Sequence, residues 1–252
     1  MRATWTLIRR EVTAYFLSPI AYVVLAAFLL VTGHLFYLTM TSLTARGPVG
    51  IEWPMRGLLA DERFWLVFLF IPPLLTMRLF AEERGSGTLE MLLTAPLRDG
   101  QVVLAKFLGA WIFYVLLWLP TAIYLPVLLH FTDGRFQIDP WPMATSYLGL
   151  LLAGAMFLSL GMFISSLVRS QMVAAVVSLV LSLGFVLAAF WRPEMDTSGL
   201  TYRLLYFFSV PLHFSHDFTR GLIDSRHVVL YVSVTVFFLF LTVRSLESRR
   251  WR

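Results

Sequence analysis

The sequence predicts an all-α polytopic membrane protein with six transmembrane helices. An N-terminal interfacial amphipathic helix precedes them, a short helix sits in one water-facing loop, and short outer re-entrant or surface helices lie between spans five and six. Three observations predict this. Hydrophobic residues make up 58% of the 252-residue chain and charged residues only 14%, where a soluble domain averages roughly 45–50% and about 25%. The apolar residues gather into runs long enough to cross about 30 Å of hydrocarbon. The charges fall between those runs, with the basic ones biased to one side. Residues 1–252 read as a single transmembrane domain.

Composition also excludes. With no cysteine there are no disulfides, thiolate metal sites or cysteine nucleophiles. Lys106 is the single lysine, so the basic balance comes from arginine. In a membrane chain such a balance reports topology and anionic headgroups, not nucleic acid. No small-residue cleavage site follows a short apolar core, so no cleavable signal peptide is expected.

Residues 3–16 form the interfacial helix. Trp5, Ile8, Val12 and Tyr15-Phe16 recur at helical spacing, with Arg9, Arg10 and Thr13 opposite, placing arginines toward lipid phosphate. Ser18-Pro19 turns the chain into the first span, about 20–40. The second, 64–80, contains Pro72-Pro73, which bends or unwinds it. The third, about 102–129, carries Pro120 and Pro126, so its outer part is expected to be kinked or re-entrant. Arg78 and Lys106, near span ends, are expected to snorkel to the headgroups. The fourth span, 147–168, holds the pair Gly161-xxx-Ser165. The fifth, 173–190, holds Ala174, Ser178 and Ser182 at successive i+4 positions, and both patterns point to close packing, within the chain first and at a dimer seam as the alternative. Residues 191–226 are too apolar for a solvated loop. The last span, 227–243, ends in a basic tail.

With six crossings and the N-terminus inside, the inner segments hold 12 of the 20 basic residues against 6 of the 15 acids. Both termini and the loop at 81–101 are therefore expected on the cytoplasmic side.

That loop carries the one polar motif, FAEERGSGTLEMLLTAP at 80–96. Gly85 and Gly87 release the backbone from the preceding helix. Thr88 can cap a new short helix on which Leu89, Leu92 and Leu93 share a face, and Pro96 closes it. Asp99-Gly100 can cap the next span. A short helix with one greasy face at the water-facing end of two spans has the form of a docking element.

Other chemistry is missing from the sequence. No G-x-x-x-x-G-K-[ST] stretch cradles a nucleotide, and there is no H-E-x-x-H or G-x-S-G element. Glu82-Glu83 lacks the arginine that a double-glutamate membrane protease would need. His213, His216 and Asp217 form HFSHD, read as interfacial hydrogen bonders with no metal assigned. None of the acids falls in the middle of a span, so proton-coupled transport has no carboxylate to use. No catalytic residue is assigned, and an intramembrane enzyme is the least favoured class.

The motif at 80–96, followed by Lys106, resembles the signature of ABC-2-type permeases. The late segment HFSHDFTRGLIDSRHVV resembles the gliding-motility and copper-enzyme-maturation subgroup. The resemblance implies a permease subunit in the bacterial cytoplasmic (inner) membrane, dimerised with an identical or different permease subunit and moved by soluble ABC ATPase subunits that bind ATP and Mg. This chain would bind no cofactor and have no enzymatic activity. By the same resemblance 3–16 is the connecting helix. Glu82, Glu83, Gly85, Gly87, Thr88, Leu89, Glu90, Leu92, Leu93 and Pro96 form the ATPase-coupling region. Pro72, Pro73, Pro120 and Pro126 supply the bending points. The alternative is an ATP-driven membrane anchor that passes motion through 191–226 to an extracytoplasmic auxiliary protein and moves no solute.

Overall fold

A computed structural model of the full chain describes residues 2–45, 54–59, 61–88, 98–124, 126–127, 140–190 and 206–250, and among these every regular element is helical. Helix α1 (Arg2–Leu17) leads into α2 (Pro19–Ala45) through a turn closed by the Ser18 N–H on the Tyr15 carbonyl. Short helices follow: α3 (Pro54–Leu59), α4 (Glu62–Phe68), α5 (Ile71–Thr76) and α6 (Ala81–Gly85). Helix α7 (Asp99–Trp118) tightens into a 3₁₀ turn at Leu119–Ile123. Then come α8 (Pro140–Leu167), α9 (Gln171–Phe190), α10 (Val210–His216), a 3₁₀ turn at Phe218–Arg220, and α11 (Ser225–Arg250).

Four of these stretches are long and apolar enough to cross a membrane: Pro19–Thr41, Asp99–Ile123, Trp141–Leu167 and Ser225–Ser248. At 1.5 Å per residue, the shortest, at 23 residues, spans about 35 Å, enough for the hydrocarbon layer. The other two expected spans take different forms. The stretch 64–80 is broken into α4 and α5, each too short to cross, and α9 offers the shorter apolar run Gln171–Leu187. The break has a local cause. Pro72 and Pro73 have no N–H to continue the ladder of α4, so a turn at Leu69–Phe70 intervenes and the prolines fall in the first turn of α5. The third expected span passes into the 3₁₀ turn at Leu119, with Pro120 in its first turn. The expected boundaries also shift: α8 begins before 147, and α11 continues past 243.

Helix α8 is the centre of the bundle, packed on α11, α9, α7 and α5, while α1 lies along α7. An aromatic core joins the pieces. Trp65 meets Phe214 at 4.7 Å between ring centroids and Phe68 at 5.0 Å, and Phe68 meets Phe157 at 5.9 Å. Small residues let backbones close up as their spacing predicts. A Cβ at Gly161 would overlap the Thr76 hydroxyl, and one at Gly154 would overlap the Tyr114 ring. Ala174, Ser178 and Ser182 form the buried face of α9, while Val173, Val176 and Val180 on its other side are exposed. The pattern read from the fifth span therefore marks packing within the chain.

Candidate functional site

The described part of the polar motif, 80–88, lies against the C-terminal end of α8 and the N-terminal half of α7. Three consecutive side chains there reach three different parts of the fold. Glu82, more than half exposed, lies 3.7 Å from Arg78, whose guanidinium also donates to Ser18 Oγ at 3.0 Å at the start of α2. Glu83 turns inward and accepts from Lys106 Nζ of α7 at 2.7 Å. Arg84 reaches the carbonyls of Ser166 and Leu167, supplying donors to the last turn of α8 where helical carbonyls lack partners.

Lys106 is the hub. Only 4% of its side chain is exposed, and it also lies 3.6 Å from Glu11 Oε2 of α1. It therefore does not snorkel, because two carboxylates meet it inside the bundle. Glu83 Oε2 is buried without a hydrogen-bond partner, so this carboxylate depends on Lys106 through its other oxygen. Gly109, one turn further along α7, lets α1 come this close: a Cβ there would stand 2.7 Å from Glu11 Cβ. Tyr15 fastens the same face of α1 to the broken second span, donating to the Leu75 carbonyl at 2.8 Å. Burial first, and the nearby Glu11 second, push the Tyr15 phenol well above its ordinary range, with Arg78 opposing them. Tyr15 therefore acts as a permanent donor.

Backbone bonds complete the junction. Ser165 Oγ accepts from the N–H groups of Phe80 and Ala81, both at 3.1 Å, and donates to the Met77 carbonyl at 3.2 Å. This one hydroxyl serves the turn between α5 and α6, and it is the small residue of the Gly161-xxx-Ser165 pair. Gly85 remains inside α6, where its role is close approach, since a Cβ would stand 3.1 Å from the Arg169 carbonyl. Gly87 is the residue that stops the helix, at φ 75°. Ser86 Oγ donates to the Glu82 carbonyl at 2.9 Å and Thr88 Oγ1 to the Glu83 carbonyl at 3.4 Å, so both hydroxyls cap α6 from behind. A cleft of about 270 Å³ opens beside this cluster, lined by Glu11, Tyr15, Arg78, Glu82, Glu83, Thr88 and Lys106 among others.

Of the motif residues singled out from sequence, Glu82, Glu83, Gly85, Gly87 and Thr88 come together here. Leu89, Glu90, Leu92, Leu93 and Pro96 lie outside the described residues. On α1, Ile8 is buried and Val12 half-buried, Arg9 and Arg10 are exposed, and Trp5 is exposed too, although it shares their spacing. Arg98, and not Asp99, is the N-cap of α7, with the Gln101 side chain accepting from the Arg98 N–H at 3.2 Å. Pro72 and Pro73 are buried in the first turn of α5. Pro120 and Pro126 lie at the far end of α7 and beyond it.

Sequence reasoning missed Glu11 and Arg84. Arg84 had a visible signal, a cation ending a short acidic helix, but its target lies 83 residues away. Among the described residues no group of three or more His, Cys, Asp or Glu is placed to hold a metal ion. His213 bonds to Tyr231 and Tyr206, and His216 to Ser215 and Leu212.

The end of the bundle is defined by the same contacts. Ser166 bonds Ser245 at 3.2 Å, so the C-terminal end of α11 meets the C-terminal end of α8 where Arg84 docks. Glu11 of α1 arrives there through Lys106. The N-terminal helix, the motif and the end of the last helix share one end of the molecule. The sequence pattern of the ABC-2 family transporter proteins matches residues 58–214, more than half of the chain and inclusive of the motif. The search of curated proteins finds no match to the chain.

Proposed function

Because the chain belongs to the ABC-2 family of transporter proteins, we propose that it is the permease subunit of an ABC transporter, exporting across the cytoplasmic membrane with energy from a separate ATPase. The observation that carries this reading is the three-way attachment of Glu82, Glu83 and Arg84. A push on the turn at Ser86–Gly87 reaches α7 through Lys106, α8 through Arg84 and Ser165, and α1 through Glu11. Buried, hydrogen-bonded contacts of this kind move as a unit, since close-packed interiors transmit displacement. The breaks at Leu69–Phe70 and Leu119 let the helices tilt without unwinding.

In this reading ATP and Mg are bound by the partner ATPase, and none by this chain. A second permease subunit, identical or different, packs on an exposed apolar face. The motif end, with both termini, faces the cytoplasm, in keeping with the excess of basic residues there. Six crossings are completed by the broken pair α4–α5 and by α9. Glu83 is engaged inside, and Glu82, more than half exposed beside Arg78, together with Glu90, which lies outside the described residues, would orient the ATPase by charge complementarity. The test is co-purification of a P-loop ATPase with the double variant G87A/E90Q. Recruitment is expected to fall at least tenfold, and undiminished recruitment would remove the coupling role of this loop.

A further inference from the structure

At the opposite end of the bundle the segment HFSHD forms a second polar cluster that the coupling reading does not use. Thr145 of α8 bonds the Phe218 carbonyl there, twenty residues before Ser165, which at 1.5 Å per residue is about 30 Å from the motif. His213 of α10 is fully buried, and its ring stacks on that of His227 in the first turn of α11, with centroids 3.7 Å apart and planes 20° apart. We propose that the His213–His227 stack is a proton-operated latch, tying the surface segment 206–220 to the start of the last helix and releasing it when the compartment it faces acidifies.

The chemistry follows from what each ring nitrogen meets. His213 Nε2 lies 2.9 Å from the Tyr206 carbonyl, which can only accept, so Nε2 carries the hydrogen. Nδ1, 2.9 Å from the Tyr231 hydroxyl, is then the acceptor. The neighbours thus select one neutral tautomer. A proton added at Nδ1 deprives the buried Tyr231 hydroxyl of its acceptor. It also sets a cation against the stacked imidazole, and protonating both rings places two like charges face to face.

The surrounding charges are few. Asp217 Oδ2 lies 3.4 Å from His227 Nδ1 and already accepts from the Tyr206 hydroxyl at 3.0 Å. Asp224 is occupied at the start of α11, its Oδ1 accepting from the Arg226 N–H at 2.8 Å, and Arg226 adds a cation on that side. His216 shares the Tyr206 ring at 5.8 Å but is exposed. Among the packed neighbours, α9 has no ionisable residue, α3 has only Arg56 in its sequence, and the Tyr147 hydroxyl of α8 is bonded to Thr121 at 2.8 Å. Burial, followed by the facing His227, lowers the His213 pKa to about 3, against which the carbonyls of Tyr206 and Phe207 and the charge of Asp224 act. Its folded value lies below the free value of 6.5, so the closed form binds fewer protons than the open one. The stability it contributes is present above pH 6.5 and is lost as pH falls from there toward 3.

The test is hydrogen exchange of the intact protein in phosphatidylethanolamine–phosphatidylglycerol nanodiscs, corrected for the intrinsic pH dependence of exchange. Between pH 7.5 and 5.0 the opening equilibrium of 206–220 is expected to rise about 30-fold from His213 alone, while residues 150–160 of α8 stay unchanged. H213Q keeps a donor and an acceptor but cannot titrate, so its rise should fall below about threefold. Should H213Q not fold, H213N serves instead: it too keeps a donor and an acceptor without a titrating group, and its rise should likewise fall below about threefold. A flat wild-type response, or a rise of wild-type size in the folded variant used, would overturn the proposal.

Discussion

Replacing Lys106 by methionine tests the junction most severely. Methionine preserves most of the buried volume, so the loss is one of charge. At an effective dielectric of about 20, a contact of 2.7 Å is worth about 6 kcal/mol of attraction, much of it offset by desolvation. Breaking such a buried pair from one side costs about 3–5 kcal/mol, because the partner charge stays behind. Two partners stay behind here: Glu83, whose second oxygen is already without a hydrogen-bond partner, and Glu11, which keeps Arg10 at 2.9 Å. For a chain of this length about 1 kcal/mol shifts the unfolding midpoint by about 2–4 °C. K106M should therefore unfold about 10 °C or more below wild type in detergent, followed by intrinsic fluorescence. The triple variant E11Q/E83Q/K106M, which leaves no uncompensated charge, should recover most of that loss. A midpoint for K106M within 2 °C of wild type would refute the reasoning, since no buried ion cluster could then be holding the helices.

Further outcomes follow from the same contacts. S165A leaves the N–H groups of Phe80 and Ala81 without their partner and should cost about 2–4 kcal/mol. S159A, whose hydroxyl serves only its own helix at Met156, should cost much less by the same unfolding assay. G109V drives a side chain into Glu11 and should lift α1 from α7, read as faster hydrogen exchange across residues 2–17 and a loss of about 1–3 kcal/mol. Y15F, which removes the bond to the Leu75 carbonyl, should cost about 1 kcal/mol with no change in exchange at 206–220.

Features governed by local spacing were legible in the sequence. The proline break between α4 and α5 follows from two missing N–H groups, and the buried stripe Ala174-Ser178-Ser182 follows from helical periodicity. Gly161-xxx-Ser165 announced close packing but not its second use, in which the serine hydroxyl replaces backbone partners for the turn at 77–81. Periodicity grouped Trp5 with Ile8, yet Ile8 is buried and Trp5 exposed, because an amphipathic pattern does not say where the covered arc ends. What spacing could not supply was the identity of distant partners. Lys106 read as a snorkelling cation because an isolated lysine near a span end has that default. Its burial by Glu83 and Glu11 depends on α1 folding back along α7, 95 residues away in sequence. The stacking of His213 on His227 was equally hidden, since the two lie on different helices joined by a turn.

The transmission of movement from the motif end to the far end can be measured directly, because the chain has no cysteine of its own. Spin labels at L119C and L222C, both exposed and remote from the junction, would be followed by pulsed distance measurement in the complex with its ATPase, before and after trapping with ATP and vanadate. In the otherwise wild-type chain the distance should change on trapping; in K106M, with the ATPase still bound, it should stay fixed. An equal change in K106M would contradict the claim that the motif moves the spanning helices through this lysine.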